Sequence, residues 1–111
     1  MRIIKKKKPR KFYPNEKIMI KDCGKIYLND DEQVTFINKN KQEYDVCKKE
    51  WGYYATPSIN GRLKNFNFKT ALIENIKTKK RYIFLIEKGK EKKLHKYLKI
   101  ETCKVLKWLS K

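Results

Sequence analysis

The chain is poor in the residues that mark several large classes of protein. Its 111 residues include three cysteines, four glycines, three prolines and one histidine. So few glycines and prolines exclude a collagen-like or low-complexity chain, and no apolar run is long enough for a membrane-spanning helix. The N-terminal MRIIKKKK is charged but has no apolar stretch behind it, which does not fit a secretory signal. We therefore expect a cytoplasmic protein.

The cysteines do not have the spacing of a disulfide framework or a zinc site. Cys23, Cys47 and Cys103 are odd in number and contain no C-x-x-C pair, which favours reduced thiols. With His95 they would supply four zinc ligands, but none lies at knuckle spacing. We expect free cysteines, with Cys47 and Cys103 buried, no metal and no cofactor.

Motifs of catalysis are also missing. The chain has no G-x-S-x-G and no phosphate-binding G-x-x-x-x-G-K. Asp45, Glu50, Glu74 and Glu87 are candidate acids, but nothing in the sequence pairs them. His95 lies beside the apolar stripe of a predicted helix, where a packed or surface histidine is the simpler interpretation. The sequence favours a binding protein over an enzyme.

Positive charge is what the chain has in excess. Thirty basic residues face 12 acidic ones, for a net charge of +18, and only four of the basic residues are arginine. An A/T-rich genome would enrich lysine without selection, but it would also enrich glutamate, so part of the excess indicates an anionic partner. Residues 1–16 predict a basic arm that binds a polyanion through Arg2, Lys5, Lys6, Lys7, Lys8, Arg10 and Lys11.

Short apolar runs separated by polar turns predict a single α+β domain over residues 17–111. A hairpin around Gly24 would come first, followed by a strand at 33–38. From about residue 43 the predicted order is βαββαβ, which is the order of the ferredoxin-like, split βαβ fold. Its elements are a strand at 43–54, a short helix from Thr56, strands at 70–76 and 81–87, a helix at 89–100 and a strand at 103–109. In this fold the strands at 43–54 and 81–87 would be central neighbours.

The densest group of candidate ligand-binding side chains lies between residues 51 and 64. Thr56-Pro57-Ser58 fits the first residues of a helix, whose free N–H groups and dipole favour an anion. Arg62 would add a planar fork for phosphate or carboxylate. The predicted anion- or ligand-binding residues are Thr56, Ser58, Asn60, Arg62 and Lys64, and the predicted stacking residues are Trp51, Tyr53 and Tyr54. The alternative is a structural corner, with Arg62 tied to an acid such as Glu50 or Glu74.

The strand and helix order is also that of the RNA recognition motif, in which aromatic residues on two central strands stack bases. The segment at residues 80–84 starts with basic residues and alternates aromatic ones, but the glycines of that motif's signature are absent. RNA binding is therefore predicted from the arrangement of strands and not from a motif.

Residues 43–73 resemble a small group of uncharacterised bacterial proteins with no established activity. The resemblance is carried by EYDV at residues 43–46, WGYYATPS at 51–58, NGRL at 60–63 and ALI at 71–73. It implies a shared domain, and an association of the group with surface-glycan genes implies a phosphorylated or nucleotide-sugar ligand.

The function expected from the sequence is non-enzymatic binding of an anionic partner, with RNA or other nucleic acid as the first choice. One alternative is an accessory module that binds a small phosphorylated ligand, a nucleotide or nucleotide-sugar, in bacterial surface-glycan metabolism. The other alternative is a protein-interaction module.

Overall fold

The computed structural model describes residues 1–110, and over these residues the protein is mostly β. Strands account for 55% of the chain and helices for 14%, in three small antiparallel sheets and two short helices. The predicted ferredoxin-like α+β fold is therefore wrong. The elements are β1 (Arg2–Asn15), β2 (Ile18–Tyr27), β3 (Gln33–Ile37), β4 (Glu43–Lys49), β5 (Gly52–Ala55), α1 (Arg62–Asn65), β6 (Phe68–Asn75), β7 (Arg81–Glu87), α2 (Glu91–Glu101) and β8 (Cys103–Trp108).

The chain divides into two compact units. Unit 1 consists of Met1–Val34 and Val46–Tyr54, and unit 2 consists of Thr35–Asp45 and the chain from Ala55 onward. The strand orders of the three sheets are β1–β2, β3–β4–β5 and β7–β6–β8.

The predicted basic arm is a strand of unit 1. β1 pairs with β2 in an antiparallel ribbon whose register runs from Arg2 opposite Tyr27 to Asn15 opposite Ile18. The predicted hairpin around Gly24 is wrong, because β2 continues through Gly24 and the chain reverses at residues 16–17. Gly24 has φ +153°, and a side chain there would overlap the carbonyl oxygen of Ile4. The glycine therefore serves close strand approach and not a turn.

The strand predicted at residues 43–54 is a hairpin. β4 ends at Lys49, residues 50 and 51 form a turn, and β5 starts at Gly52, which has φ +144°. The change of apolar parity between Val46 and Cys47 favoured a bulge or a strand covered on both faces, and it did not predict this turn.

In unit 2 the central strand of the three-stranded sheet is β6. It pairs antiparallel with β7 on one side, where Ala71 faces Phe84, and with β8 on the other, where Ile73 faces Val105. The predicted central position of residues 81–87 is therefore wrong: β7 is an edge strand, with 59% of Ile83 exposed. Apolar residues at both parities marked a strand with one uncovered face, not a central one.

Helix α2 covers this sheet. Its buried Leu94 and Leu98 form the core cluster together with Ala71, Ile73 and Ile86. The apolar stripe of the helix follows the usual i, i+3, i+4 spacing, and its third predicted member, Tyr97, contacts Phe84 at a ring-centroid distance of 6.3 Å. β7 and β8 both run antiparallel to β6 and are therefore parallel to each other. Helix α2 connects these two strands, which lie on opposite sides of β6.

A full first helix, which the ferredoxin-like order requires, does not form. α1 is one turn of four residues, and its N-cap, Gly61, provides no side-chain hydrogen bond. Such a short helix adds little burial beyond Leu63, which is 2% exposed. The missing helix and the edge position of β7 together explain why the predicted topology fails.

Candidate functional site

The corner at Thr56-Pro57-Ser58 does not start a helix. Helix α1 begins at Arg62, six residues after the predicted N-cap. Pro57 is buried, and Ser58 folds back so that its Oγ accepts a hydrogen bond from the Arg62 backbone N–H at 3.3 Å. A side chain at Gly61 would overlap that same Oγ. The anion site expected from a helix N-terminus therefore has no helix to supply its dipole.

Arg62 is bound to a carboxylate of its own chain. Its Nη2 donates to Asp45, which is 2% exposed, and to the Thr56 hydroxyl at 3.3 Å. The Thr35 hydroxyl donates to the other carboxylate oxygen of Asp45. A buried carboxylate requires such partners because an unpaired charge in the interior is costly. The acid is Asp45, not Glu50 or Glu74, and the group has a structural role.

Asn60 and Lys64, the other predicted residues of the corner, are exposed. Their assignment as ligand-binding residues remains a prediction. The assignment of Thr56, Ser58 and Arg62 also remains a prediction, although the backbone and side chains of these residues make the structural hydrogen bonds described above.

All four arginines have partners within the protein. Arg81 Nε donates to Glu74, which is 6% exposed, at 3.0 Å. The guanidinium of Arg2 lies 4.6 Å from the centre of the Tyr27 ring, and that of Arg10 lies 4.7 Å from the centre of the Phe12 ring. Buried carboxylates and aromatic faces are the partners that favour arginine over lysine. Each arginine therefore has a partner within the fold, and the assignment of Arg2 and Arg10 to polyanion binding remains a prediction.

The predicted stacking residues belong to unit 1, whereas the corner from Thr56 to Lys64 belongs to unit 2. Trp51 is 70% exposed, Tyr53 is 63% exposed and Tyr54 is 44% exposed. The Trp51 and Tyr54 rings stack with centroids 5.8 Å apart at an interplanar angle of 29°. Lys48 Nζ lies 5.7 Å from the centre of the Tyr53 ring. We call Trp51, Tyr53 and Tyr54 the aromatic corner.

Positive charge is concentrated on the ribbon of β1 and β2, which we call the basic ribbon (residues 2–27). It contains ten basic and two acidic side chains, a net charge of +8. Two of its lysines, Lys11 and Lys21, are directly opposite each other across the strands. Like charges in that position repel, which costs stability unless an anion lies between them. Within the basic ribbon, the exposed lysines for which no ion pair is seen among residues 1–110 are Lys5, Lys7, Lys8, Lys11, Lys17, Lys21 and Lys25.

A bulge interrupts the basic ribbon, and contacts of the Asp22 carboxylate stabilise it. Four residues of β1, from Lys6 to Pro9, face a single residue of β2 between the paired positions. The Asp22 carboxylate accepts from Lys6 Nζ at 2.8 Å and from the Gly24 N–H at 3.3 Å, and Arg10 Nε lies 3.7 Å away. The hydrogen bond from Lys6, followed by that from Gly24, lowers the pKa of Asp22. Lys7 and Lys8 lie between Lys6 and Arg10 in the chain and are exposed.

Unit 2 contains an open polar cavity of about 570 Å³ beside the start of α2. Amide and charged side chains line it, and Lys90 Nζ donates to Glu87 at 2.9 Å within it. The lining residues are Asn40, Gln42, Asn67, Glu87, Lys88, Gly89 and Lys90. None of them was among the predicted ligand-binding residues, because residues 40–42, 67 and 87–90 are distant in sequence and only the fold brings them together.

The cysteines are free, as predicted. Cys47 is buried, while Cys103 is only partly buried and accepts from the Asn75 side-chain amide at 3.8 Å. Burial raises the pKa of the Cys103 thiol, which keeps it protonated and unreactive. Within residues 1–110, no three His, Cys, Asp or Glu side chains are arranged to hold a metal ion. No helix in that range is long and apolar enough to cross a membrane.

Comparisons with known proteins give no relative. No protein-family model matches the chain, and searches of curated proteins and of solved structures found no significant match. The geometry of the molecule is therefore the basis for assigning a function.

Sequence reasoning found the charge of residues 2–11 but missed that β2 adds Lys21 and Lys25 to it. Ile3, Phe12, Ile20 and Ile26, which pair across the ribbon, were the available signal.

Proposed function

We propose that the protein is a cytoplasmic, non-enzymatic binding domain for nucleic acid, with the basic ribbon as the main contact. One observation carries the proposal: an exposed two-stranded ribbon with a net charge of +8, in which one pair of lysines, Lys11 and Lys21, face each other across the strands. Ammonium groups along an exposed ribbon can neutralise the phosphates of a nucleic-acid backbone, whether it is single- or double-stranded. The free thiols agree with a reducing compartment.

The lysines and the arginines of the ribbon differ in their surroundings. The arginines lie on aromatic rings, while the exposed lysines have their ammonium groups in solvent. A phosphate near Lys11 and Lys21 would replace their mutual repulsion with two attractions and release counterions. No comparable like-charge pair is found among the β6–β7 and β6–β8 cross-strand partners.

The test is the salt dependence of affinity for short RNA and DNA strands, compared between two variants of equal net charge. Lys11→Gln/Lys21→Gln/Lys25→Gln removes three charges from the basic ribbon. Lys92→Gln/Lys93→Gln/Lys96→Gln removes three from the exposed side of α2. We expect the slope of log affinity against log salt to decrease by about 0.7–0.9 for each phosphate that the ribbon variant no longer neutralises. The α2 variant should keep the slope of the unmodified protein.

Two outcomes would overturn the proposal. Equal loss of affinity in both variants would mean that charge acts diffusely, with no ribbon site. Absence of binding at low salt would mean that the lysine excess reflects the composition of the genome and not an anionic partner.

The polar cavity of unit 2 supports a second candidate, binding of a small phosphorylated ligand such as a nucleotide or nucleotide-sugar. Its amide side chains suit sugar hydroxyls, and Lys88 and Lys90 suit a phosphate. A thermal-shift panel of nucleotides and nucleotide-sugars tests it, with Lys88→Gln expected to abolish the shift and Lys77→Gln, outside the cavity, to leave it. Failure of the whole panel to raise the melting temperature would reject this candidate.

A further inference from the structure

We infer that the ligand of unit 1 is a single strand of nucleic acid, with bases stacked on the aromatic corner and phosphates on the basic ribbon. This inference rests on the proposed function and adds to it the strandedness of the ligand and the residues that select it. It begins from the exposure of Trp51, Tyr53 and Tyr54, which are 70%, 63% and 44% exposed. Large aromatic side chains lose much hydrophobic stabilisation when they remain in water, so three together indicate a surface that a partner covers.

The aromatic corner is ordered before any ligand arrives. Trp51 and Tyr54 stack on each other, with centroids 5.8 Å apart, and Lys48 Nζ lies 5.7 Å from the Tyr53 ring. The turn of residues 50–51 leaves open space next to Gly52, where an added side chain would meet nothing within 4 Å. A preformed ring pair with a free approach loses little entropy when a base stacks on it.

The charge around the aromatic corner is balanced, unlike that of the basic ribbon. Asp30 pairs with Lys48, Asp31 pairs with Lys49 and Glu32 pairs with the N-terminal ammonium group. The surrounding cations are therefore neutralised, and the corner offers apolar ring faces more than charge. Bases are neutral and phosphates are anionic, so unit 1 offers one surface suited to bases and another suited to phosphates.

Only unpaired bases can use such a corner. In a duplex the base faces are already stacked on their neighbours, and the grooves present edges and not faces. Proteins that bind single strands combine a basic track with exposed aromatic platforms, each base contributing about 5-fold to 100-fold in affinity. Unit 1 contains both parts, which favours a single strand over a duplex and over a protein partner.

The experiment measures binding of oligouridine, oligothymidine and a mixed-sequence duplex of the same length at one salt concentration. The protein carries Trp108→Phe, which leaves Trp51 as the single tryptophan. We expect both single strands to quench Trp51 fluorescence and the duplex to leave it unchanged. The relative affinity of oligouridine and oligothymidine distinguishes RNA from DNA.

Substitutions then assign the effect to stacking. Because replacing Trp51 removes the fluorescent reporter, the variants are compared by the anisotropy of a dye-labelled strand. Trp51→Leu and Tyr54→Leu should each weaken single-strand binding about 5-fold to 100-fold, and Trp51→Phe should retain most of it. Tyr82→Leu changes a tyrosine of unit 2 with 46% exposure and should have no effect.

The outcomes separate this inference from the proposed function. If single strands and duplex bind equally, depend on the ribbon lysines and ignore Trp51→Leu, the proposed function stands and the inference is wrong. If no nucleic acid binds, both are wrong. Loss of binding in Tyr82→Leu equal to that in Trp51→Leu would also contradict the inference.

Discussion

The two units of this protein are stabilised in different ways. In unit 2, five side chains that are 9% exposed or less form one cluster between α2 and the sheet. Of the buried hydrophobic residues in the described chain, only Cys47 belongs to unit 1, where backbone pairing and ion pairs make most of the contacts. An isolated two-stranded ribbon is marginal in water. Folding stability therefore resides mainly in unit 2, while unit 1 exposes its charge and its aromatic rings.

The largest expected effect compares one residue type in the two units. Ile73→Ala removes a side chain with no exposed surface from the core of unit 2 and should lower the free energy of unfolding by about 2–5 kcal/mol. Ile3→Ala, at a side chain that is 61% exposed in the ribbon, should change it by about 0.5 kcal/mol or less. Urea unfolding followed by Trp108 fluorescence measures both. Equal losses would mean that the units share one core.

A second comparison concerns two carboxylates. Asp45→Asn replaces the buried acid that holds Arg62 and Thr35 and should cost about 1.5–3 kcal/mol, the range for hydrogen bonds to charged groups. Asp31→Asn replaces an exposed acid of unit 1 and should cost about 1 kcal/mol or less. Urea unfolding measures both, and nucleic-acid binding should survive both changes. A larger loss in Asp31→Asn would contradict the structural role given to Asp45.

A third comparison uses two glycines of unit 1 with similar backbone angles. Gly24→Ala and Gly52→Ala both introduce a side chain at positive φ, but only at Gly24 would it overlap another strand, at the Ile4 carbonyl oxygen. We expect Gly24→Ala to destabilise the ribbon by about 1 kcal/mol or more beyond Gly52→Ala. Hydrogen exchange of the β1 and β2 amides measures the difference. Unchanged protection in Gly24→Ala would mean that the ribbon does not depend on that close approach.

The smallest effect is a dependence on pH that is confined to the ribbon. The pKa of Asp22 is lower in the folded than in the unfolded chain, because Lys6 and the Gly24 N–H bind the carboxylate. Its contribution is therefore complete above the unfolded pKa and is lost as the pH falls through the lowered folded pKa. The Gly24 amide shift should titrate with a midpoint below the ordinary pKa of aspartate, and Asp22→Asn should remove this titration. A midpoint at or above the ordinary value would exclude the Lys6 hydrogen bond.

Local patterns predicted five elements of the fold, β3, β6, β7, α2 and β8, but not their assembly. The strands at residues 33–37 and 81–87 and the helix of Leu94 and Leu98 have alternation or helical periodicity that depends only on neighbouring residues. Strand order depends on which faces become covered, and the exposed Ile83 could not be distinguished from a buried residue by its sequence. The same limit applies to Gly24. Glycine is typical of turns, but Gly24 lies within β2, next to the bulge of the basic ribbon.

The sequence indicated which types of residue would matter at the candidate site, but not which side chains they contact. The scarcity of arginine indicated that each has a special role, and the structure gives the four guanidinium groups internal partners. The partner of Arg62 is Asp45, 17 residues earlier, and only the fold brings the two side chains together. The exposure of Trp51 follows from its position in the turn at residues 50–51, which the sequence did not predict.

The most direct test of the assignment of binding to unit 1 is a map of backbone amide shifts during titration with a short single strand of RNA. We predict that shifts concentrate at residues 2–27 and 48–54, while the amides of β6, β7, β8 and α2 remain unchanged. We further predict that Lys11→Gln/Lys21→Gln/Lys25→Gln abolishes the shifts without altering the β6–β8 amides. Shifts concentrated at residues 68–108, or spread evenly over both units, would contradict the assignment of binding to unit 1.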